Sequence, residues 1–238
     1  MAAVIETHGL TRRYGDLTAV DGISLSIGEG ELYGLLGPNG SGKTTSIKML
    51  TGQLQPTSGT ASVAGVDPAR HPLQVKQAVG IIPEQETPPS FLTAEEYLQF
   101  VAAIRDINDA AGRIDTWFAR LDFAGQRDIL CKDLSRGTRQ KLMFAQAFLH
   151  RPGIAFVDEP LINLDPVIQR TVKDYMLDYV ARDGTIFLCT HVLDIAEEIC
   201  TRVGIIHHGS ILSDLSMDEA TAGGQRLETV FLEAVGGA

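Results

Sequence analysis

The run Gly37-Pro38-Asn39-Gly40-Ser41-Gly42-Lys43-Thr44-Thr45 constrains this chain more tightly than any other part of it. It satisfies the phosphate-binding pattern G-x-x-x-x-G-K-[ST] at every specified position. The flanks fit as well. Leu32-Tyr33-Gly34-Leu35-Leu36 is a short apolar run of strand length, and the following Thr45–Leu50 carries apolar Ile47 and Leu50 three residues apart, as a helix does. A strand, a glycine-rich turn and a helix N-terminus gather unpaired backbone N–H groups and the positive end of a helix dipole, which together favour an anion. The pattern predicts a bound nucleoside triphosphate. Asn39, Gly40, Ser41, Gly42 and Thr45 would wrap the phosphates, Lys43 would reach the β- and γ-phosphates, and the Thr44 hydroxyl would ligate Mg²⁺.

The 238 residues can bury one large core, or one core with a small inserted subdomain. A net charge of −10 argues against a broad nucleic-acid face, which needs clustered Lys and Arg. Cys131, Cys189 and Cys200 have neither paired nor metal-ligand spacing and read as small core hydrophobes in a reducing compartment. No stretch approaches the roughly 18 uninterrupted apolar residues of a membrane span, and the N-terminus lacks a signal-peptide pattern. Any membrane role is therefore expected to run through a partner.

Val4–Leu10 and Ile23–Ile27 alternate like half-buried strands, Thr60–Val63 is a short strand after the turn at Pro56–Gly59, and Val79–Ile82 is another. From about Glu84 to Leu149 the helical period dominates. Tyr97, Phe100, Val101 and Ile104 fall on one helical face and Trp117, Phe118 and Leu121 on another, and these aromatics are expected to pack a core. Strand texture returns at Ile154–Val157, Ile186–Cys189 and Val203–Ile206, apolar runs of the kind a doubly covered parallel sheet requires. Helices fit at Val167–Ala181 and Val192–Cys200. The tail holds one more strand-like piece and an amphipathic end with Leu227, Val230, Phe231 and Ala234.

A second cluster of chemistry follows the strand Ile154–Val157, where Asp158 and Glu159 stand side by side. Carboxylates at the end of a buried strand are costly unless they bind something. Behind a phosphate loop, Asp158 would hold Mg²⁺ opposite Thr44, and Glu159 would polarise the water that attacks the γ-phosphate. Of the six histidines, only His191 follows a buried strand whose end should converge on the nucleotide, where an imidazole would orient the phosphate or the water. His207 and His208 read as a turn before Gly209.

These residues, in this order, resemble the ATP-binding cassette (ABC) ATPases over nearly the whole chain. Leu134-Ser135-Arg136-Gly137-Thr138 is similar to the family's signature Leu-Ser-Gly-Gly-Gln, with Gln140-Lys141 continuing it on a helix expected at Arg139–Leu149. Asn163-Leu164-Asp165 looks like the D-loop and Thr190-His191 like the switch-histidine loop. Tyr14 matches the aromatic that stacks on adenine, and Val20 the hydrophobic residue beside that ring. Two motifs depart from the pattern. Arg136 replaces a signature glycine and Thr138 its glutamine, while at the Q-loop Glu84 aligns with the family's glutamine and Gln85 follows one residue late. Gln85 is slightly favoured as the Mg²⁺-facing side chain.

The resemblance implies an α/β fold. Its parts would be a P-loop NTPase core over 1–83 and 150–238, with a mostly parallel sheet flanked by helices and an N-terminal antiparallel β part, and an inserted α-helical subdomain over 84–149. It implies ATP and Mg²⁺ as ligands, with hydrolysis by Glu159 and His191. It also implies a head-to-tail dimer in which Ser135, Gly137 and Asp165 of one subunit act on ATP held by a second ABC ATPase subunit, alike or different. The partner would be an integral membrane permease, placing the chain on the inner, cytoplasmic face of the membrane. No nucleic acid is expected. The segment Tyr14-Gly15-Asp16, the variant signature and the short tail look most like multidrug and ABC-2-type exporters. An importer ATPase or a soluble iron–sulfur assembly ATPase is the alternative.

Overall fold

The computed structural model describes residues 3–85 and 88–237. The chain opens with a long hairpin, β1 (Ala3–Tyr14) and β2 (Leu17–Gly28), followed by β3 (Leu32–Leu36) and α1 (Lys43–Leu50) on either side of the glycine-rich turn. Then come β4 (Ser58–Val63), α2 (Pro72–Ala78) and β5 (Val79–Ile82). Three helices follow, α3 (Ala94–Ile104), α4 (Ala110–Arg120) and α5 (Arg136–Phe148). The last part alternates β6 (Ile154–Asp158), α6 (Pro166–Val180), β7 (Thr185–Thr190), α7 (Leu193–Ile199) and β8 (Arg202–His207). It ends with β9 (Ser210–Ser216), α8 (Met217–Ala220) and α9 (Leu227–Gly236).

Two sheets result, an antiparallel one in the order β2-β1-β4 and a six-stranded one in the order β5-β6-β7-β3-β8-β9. In the larger sheet every neighbouring pair is parallel except β8 with β9. Its central strands β3, β6 and β7 are buried along their whole length because both faces are covered. Leu32 and Leu36 of β3, Ala155 and Val157 of β6, and Ile186 and Leu188 of β7 point into a core shared with α3–α7 and α9. Tyr33, Leu35, Phe156 and Phe187 point the other way, into a core closed by α1 and the antiparallel sheet. Each fully buried Leu, Val, Ile or Phe among them contributes about 1.5–3 kcal/mol of transfer free energy, so the sheet is a rigid base for the loops at its ends.

Three expectations need correction. The hairpin strands extend well beyond Val4–Leu10 and Ile23–Ile27, because register shifts between Thr7 and Leu10 and between Leu10 and Arg12 break the alternation that a strand is read by. Helix α5 begins three residues before Arg139, since the Ser135 hydroxyl accepts the Thr138 N–H at 3.1 Å and caps it there. Helix α3 is started by a capping box in which Thr93 and Glu96 bond reciprocally, at 2.8 and 3.2 Å. From that start its buried stripe is Ala94, Leu98, Val101 and Ala102. Phe100 and Ile104 consequently face outward, 51% and 60% exposed, and do not pack the core as expected. Trp117, Phe118 and Leu121 are buried.

Candidate nucleotide site

The register of the parallel strands builds the site. Leu36 pairs with Thr190 across β3 and β7, and Asp158 pairs with Cys189 across β6 and β7. The glycine-rich loop, the two acids and His191 therefore leave the sheet from adjacent strand ends, where open parallel sheets place their ligands.

The loop itself needs its glycines. Gly42, at the N-terminus of α1, has φ 111°, and a Cβ there would lie 2.5 Å from the Ala19 carbonyl. A Cβ on Gly37 would meet the Ile206 carbonyl at 2.3 Å. The Lys43 ammonium donates to the Gly37 and Pro38 carbonyls at 2.7 and 3.1 Å, so the loop holds its own cation in place. A cavity of about 160 Å³ opens over the loop, with Asn39, Gly40, Gly42, Lys43, Thr44 and Thr45 along one wall and Glu84, Asp158 and Glu159 along another. Ser41 is buried beneath the loop with its hydroxyl unpartnered.

Oxygen donors converge beside Lys43. The Thr44 hydroxyl is 2.7 Å from Asp158 Oδ2 and 3.4 Å from Glu84 Oε2. Burial pushes the Asp158 carboxyl up from 3.8 to about 6; Glu84 and Glu159 add to the rise, and the Thr44 hydroxyl and Lys43 oppose it. Among the described residues no group of three or more His, Cys, Asp or Glu forms a metal cluster. One hydroxyl and one or two carboxylates beside a phosphate cradle suit Mg²⁺, which keeps water and substrate oxygens in its shell. Glu84 thus sits at this position, whereas Gln85 does not line the cavity.

Glu159 is 8% exposed and tied from three directions. Thr190 Oγ1 donates to Oε2 at 2.9 Å, the His191 backbone N–H donates to Oε1 at 2.9 Å, and His191 Nδ1 lies 2.6 Å from the same Oε1. The Glu159 N–H donates to the Cys189 carbonyl at 3.0 Å, and its φ of 49° is left-handed. A non-glycine residue held there stores on the order of 1–2 kcal/mol, sustained by these bonds. Thr190 is the member of this set whose role the sequence did not reveal; its only signal was its place before His191.

The remaining expected residues lie farther out. The Tyr14 ring is half exposed with the Arg12 guanidinium 4.5 Å over its centroid. Val20 is fully buried against Gly42 and Gly209, leaving its neighbour Ala19 on the cavity wall. Ser135 caps α5, and Asp165 caps α6 by accepting the Val167 and Ile168 N–H groups at 3.1 Å. Neither they nor Gly137 line the cavity over Lys43.

Comparison with known proteins agrees with this geometry. Residues 20–162 match the sequence model of the ABC transporter family. The probable multidrug ABC transporter ATP-binding protein YbhF of Escherichia coli is 33% identical over 224 residues, which are 92% of this chain but 38% of that relative. The chain therefore spans well under half of that protein. The bacitracin transport ATP-binding protein BcrA of Enterococcus faecalis is 33% identical over 220 residues, covering 92% of this chain and 71% of its own. A solved ATP-binding subunit of an ABC transporter superposes with a TM-score of 0.92 at 27% identity, covering 98% of this chain and 99% of that one.

Proposed function

The chain belongs to the ABC transporter family, and from that premise we propose that it is the ATP-hydrolysing subunit of an exporter, working through a separate membrane permease. The observation that carries the proposal is the placement of Glu159, fixed by Thr190 and His191 on the wall of the cavity that Lys43, Thr44 and Asp158 also line.

The chemistry follows from these residues. The loop amides and Lys43 would bind the β- and γ-phosphates and orient the γ-phosphorus. Thr44, Asp158 and Glu84, rather than Gln85, would hold Mg²⁺, which when bound neutralises charge on the phosphate oxygens. Glu159 would accept a proton from water as the new O–P bond forms and the bond to the β-phosphate oxygen breaks, giving ADP and phosphate. Because a carboxylate only accepts, the Glu159–His191 bond would put a proton on His191 Nδ1.

Ser135, Gly137 and Asp165 stand apart from this cavity, so they would serve ATP bound to a second subunit, in a head-to-tail dimer closed by nucleotide. Among the described residues no helix is long and apolar enough to cross a membrane. Phe91 and Phe100 expose large rings on the helical part, and this apolar surface supports docking of a permease, which would hold the subunit on the inner face of the membrane. The names of the multidrug and bacitracin relatives support export.

Steady-state turnover and light scattering of Glu159→Gln test this. Turnover should fall by about 10²–10⁴-fold with ATP affinity retained, and Mg-ATP should convert monomer to dimer. Lys43→Ala should lose ATP binding. Wild-type turnover in both variants would place hydrolysis elsewhere.

A further inference from the structure

A second cavity, of about 690 Å³, exceeds the one over the phosphate loop and falls in the usual range of small-molecule sites, about 300–1,000 Å³. It lies at the opposite end of the sheet. Gly153 and Gly184 on its wall immediately precede β6 and β7, and Glu29 lies in the turn before β3, whereas the nucleotide residues end or follow those strands. Strands of five to six residues, rising about 3.3 Å per residue, separate the two sites by roughly 16–20 Å.

Its walls are aromatic and cationic. Trp117 meets Tyr175 edge to face at 4.9 Å between centroids, and Phe148 meets Tyr175 likewise at 5.1 Å. The Arg120 guanidinium lies 5.0 Å from the Tyr175 ring centre and 5.6 Å from that of Trp117. Arg113, Arg151 and Arg182 complete the cationic set, against Glu29, Asp178 and Asp183. An excess of arginine is notable in a chain of net charge −10. Arg113 is engaged, donating to the Leu149 carbonyl at 3.1 Å, and Arg182 faces Asp178 at 3.9 Å. Among the described residues, the Arg120 and Arg151 guanidinium groups have no carboxylate or carbonyl partner within hydrogen-bond reach. Burial raises the Tyr175 phenol to about 12, and the nearby charges of Arg120, Arg151 and Arg182 pull it down.

Edge-to-face rings beside guanidinium groups without a carboxylate or carbonyl partner have a matching ligand chemistry: a planar ring carrying an acid group, the ring edge or face on the aromatics and the acid on the arginine fork. We propose that this cavity binds a small aromatic anion, its ring against Trp117 and Tyr175 and its acid group against Arg120 and Arg151. The site is independent of the nucleotide and stands whether or not the hydrolytic role holds.

Trp117 is the only tryptophan of the chain, so it reports on the cavity directly. The test titrates the full chain with 8-anilinonaphthalene-1-sulfonate and follows energy transfer from Trp117, with N-phenyl-1-naphthylamine as the analogue lacking the sulfonate. The sulfonate should bind saturably, unchanged by saturating Mg-ATP, and the uncharged analogue at least about tenfold more weakly. The double variant Arg120→Gln, Arg151→Gln should keep wild-type ATPase activity and lose about tenfold or more in sulfonate affinity. Equal binding of the two dyes, an unchanged affinity in the double variant, or displacement by ATP would each overturn the proposal. In the first two cases the exposed guanidinium groups, Arg120 at the end of α4 and Arg151 after α5, would merely be solvated.

Discussion

His191 Nδ1 lies 2.6 Å from Glu159 Oε1, while the second carboxylate oxygen of Glu159 takes a hydroxyl bond from Thr190 at 2.9 Å. The two partners come from successive residues at the end of β7, so one strand end positions both oxygens of a carboxylate at the end of β6. Thr190→Val should remove one anchor without touching the phosphates. Glu159 would then sample other orientations from a backbone already held at positive φ. Turnover should fall about tenfold at unchanged KM for ATP, because Thr190 acts through Glu159. His191→Ala should cost more, about 10²-fold, since it removes the imidazole as well as an anchor. Steady-state kinetics with a parallel ATP-binding titration separates the two; a rise in KM for Thr190→Val would mean that the hydroxyl serves the nucleotide directly.

The Asp158 carboxyl gives a pH signature. Its pKa is about 6 in the folded protein, above the ordinary 3.8. Below pH 3.8 it is protonated both folded and unfolded, and its contribution to stability is fully present. As pH rises the unfolded chain releases the proton first, so the contribution drains away up to about pH 6 and stays lost above it. Asp158→Asn removes this titration. The difference in melting temperature between wild type and Asp158→Asn, without nucleotide, should therefore swing toward the variant between pH 4 and 6 and level off above. Mg²⁺ binding must displace the same proton, so wild-type affinity for Mg²⁺ should weaken as pH falls below about 6. A melting difference that is flat across this range would mean that Asp158 is ionised throughout.

Much of this was legible because it is local. A phosphate loop is contiguous, the parallel strands are uninterrupted apolar runs, and Asp158 and Glu159 betray themselves by ending one. What escaped reading depends on juxtaposition. The hairpin strands hide behind register shifts, and the buried face of α3 is set by its capping box and small alanines rather than by its aromatics. The bond from Thr190 to Glu159 spans 31 residues and exists only because β6 pairs with β7 in one register. The arginine-lined cavity draws on α4, α6 and the turns before three strands, and no window of sequence contains it.

Glu84 and Gln85 can be told apart by what each variant does to Mg²⁺. Glu84 lines the cavity with its Oε2 3.4 Å from the Thr44 hydroxyl, and Gln85 does not line it. Glu84→Ala should raise the Mg²⁺ concentration needed for half-maximal turnover by about tenfold, the scale of one lost charged ligand. Gln85→Ala should leave the curve of the isolated chain unchanged. The reverse result would move the metal-facing role one residue along.

Gly137 carries the prediction for the second subunit. It is the second residue of α5, and a Cβ built on it would lie 2.7 Å from the Asn163 carbonyl, closer than real side chains approach. Asn163 is backbone of the loop leading to the α6 cap, at φ 67°, so it has little freedom to withdraw. Gly137→Ala should therefore push the Asp165 loop away from Ser135, at a strain of about 1–3 kcal/mol, while leaving the distant Lys43 loop untouched. Introduced beside Glu159→Gln, it should abolish the ATP-dependent dimer in light scattering and keep nucleotide affinity within about twofold of the single variant, too small a change to reflect a lost contact. A dimer that persists would show that the α5 N-terminus closes on nothing across the interface. Lost nucleotide binding would instead mean that the two loops are coupled within one chain.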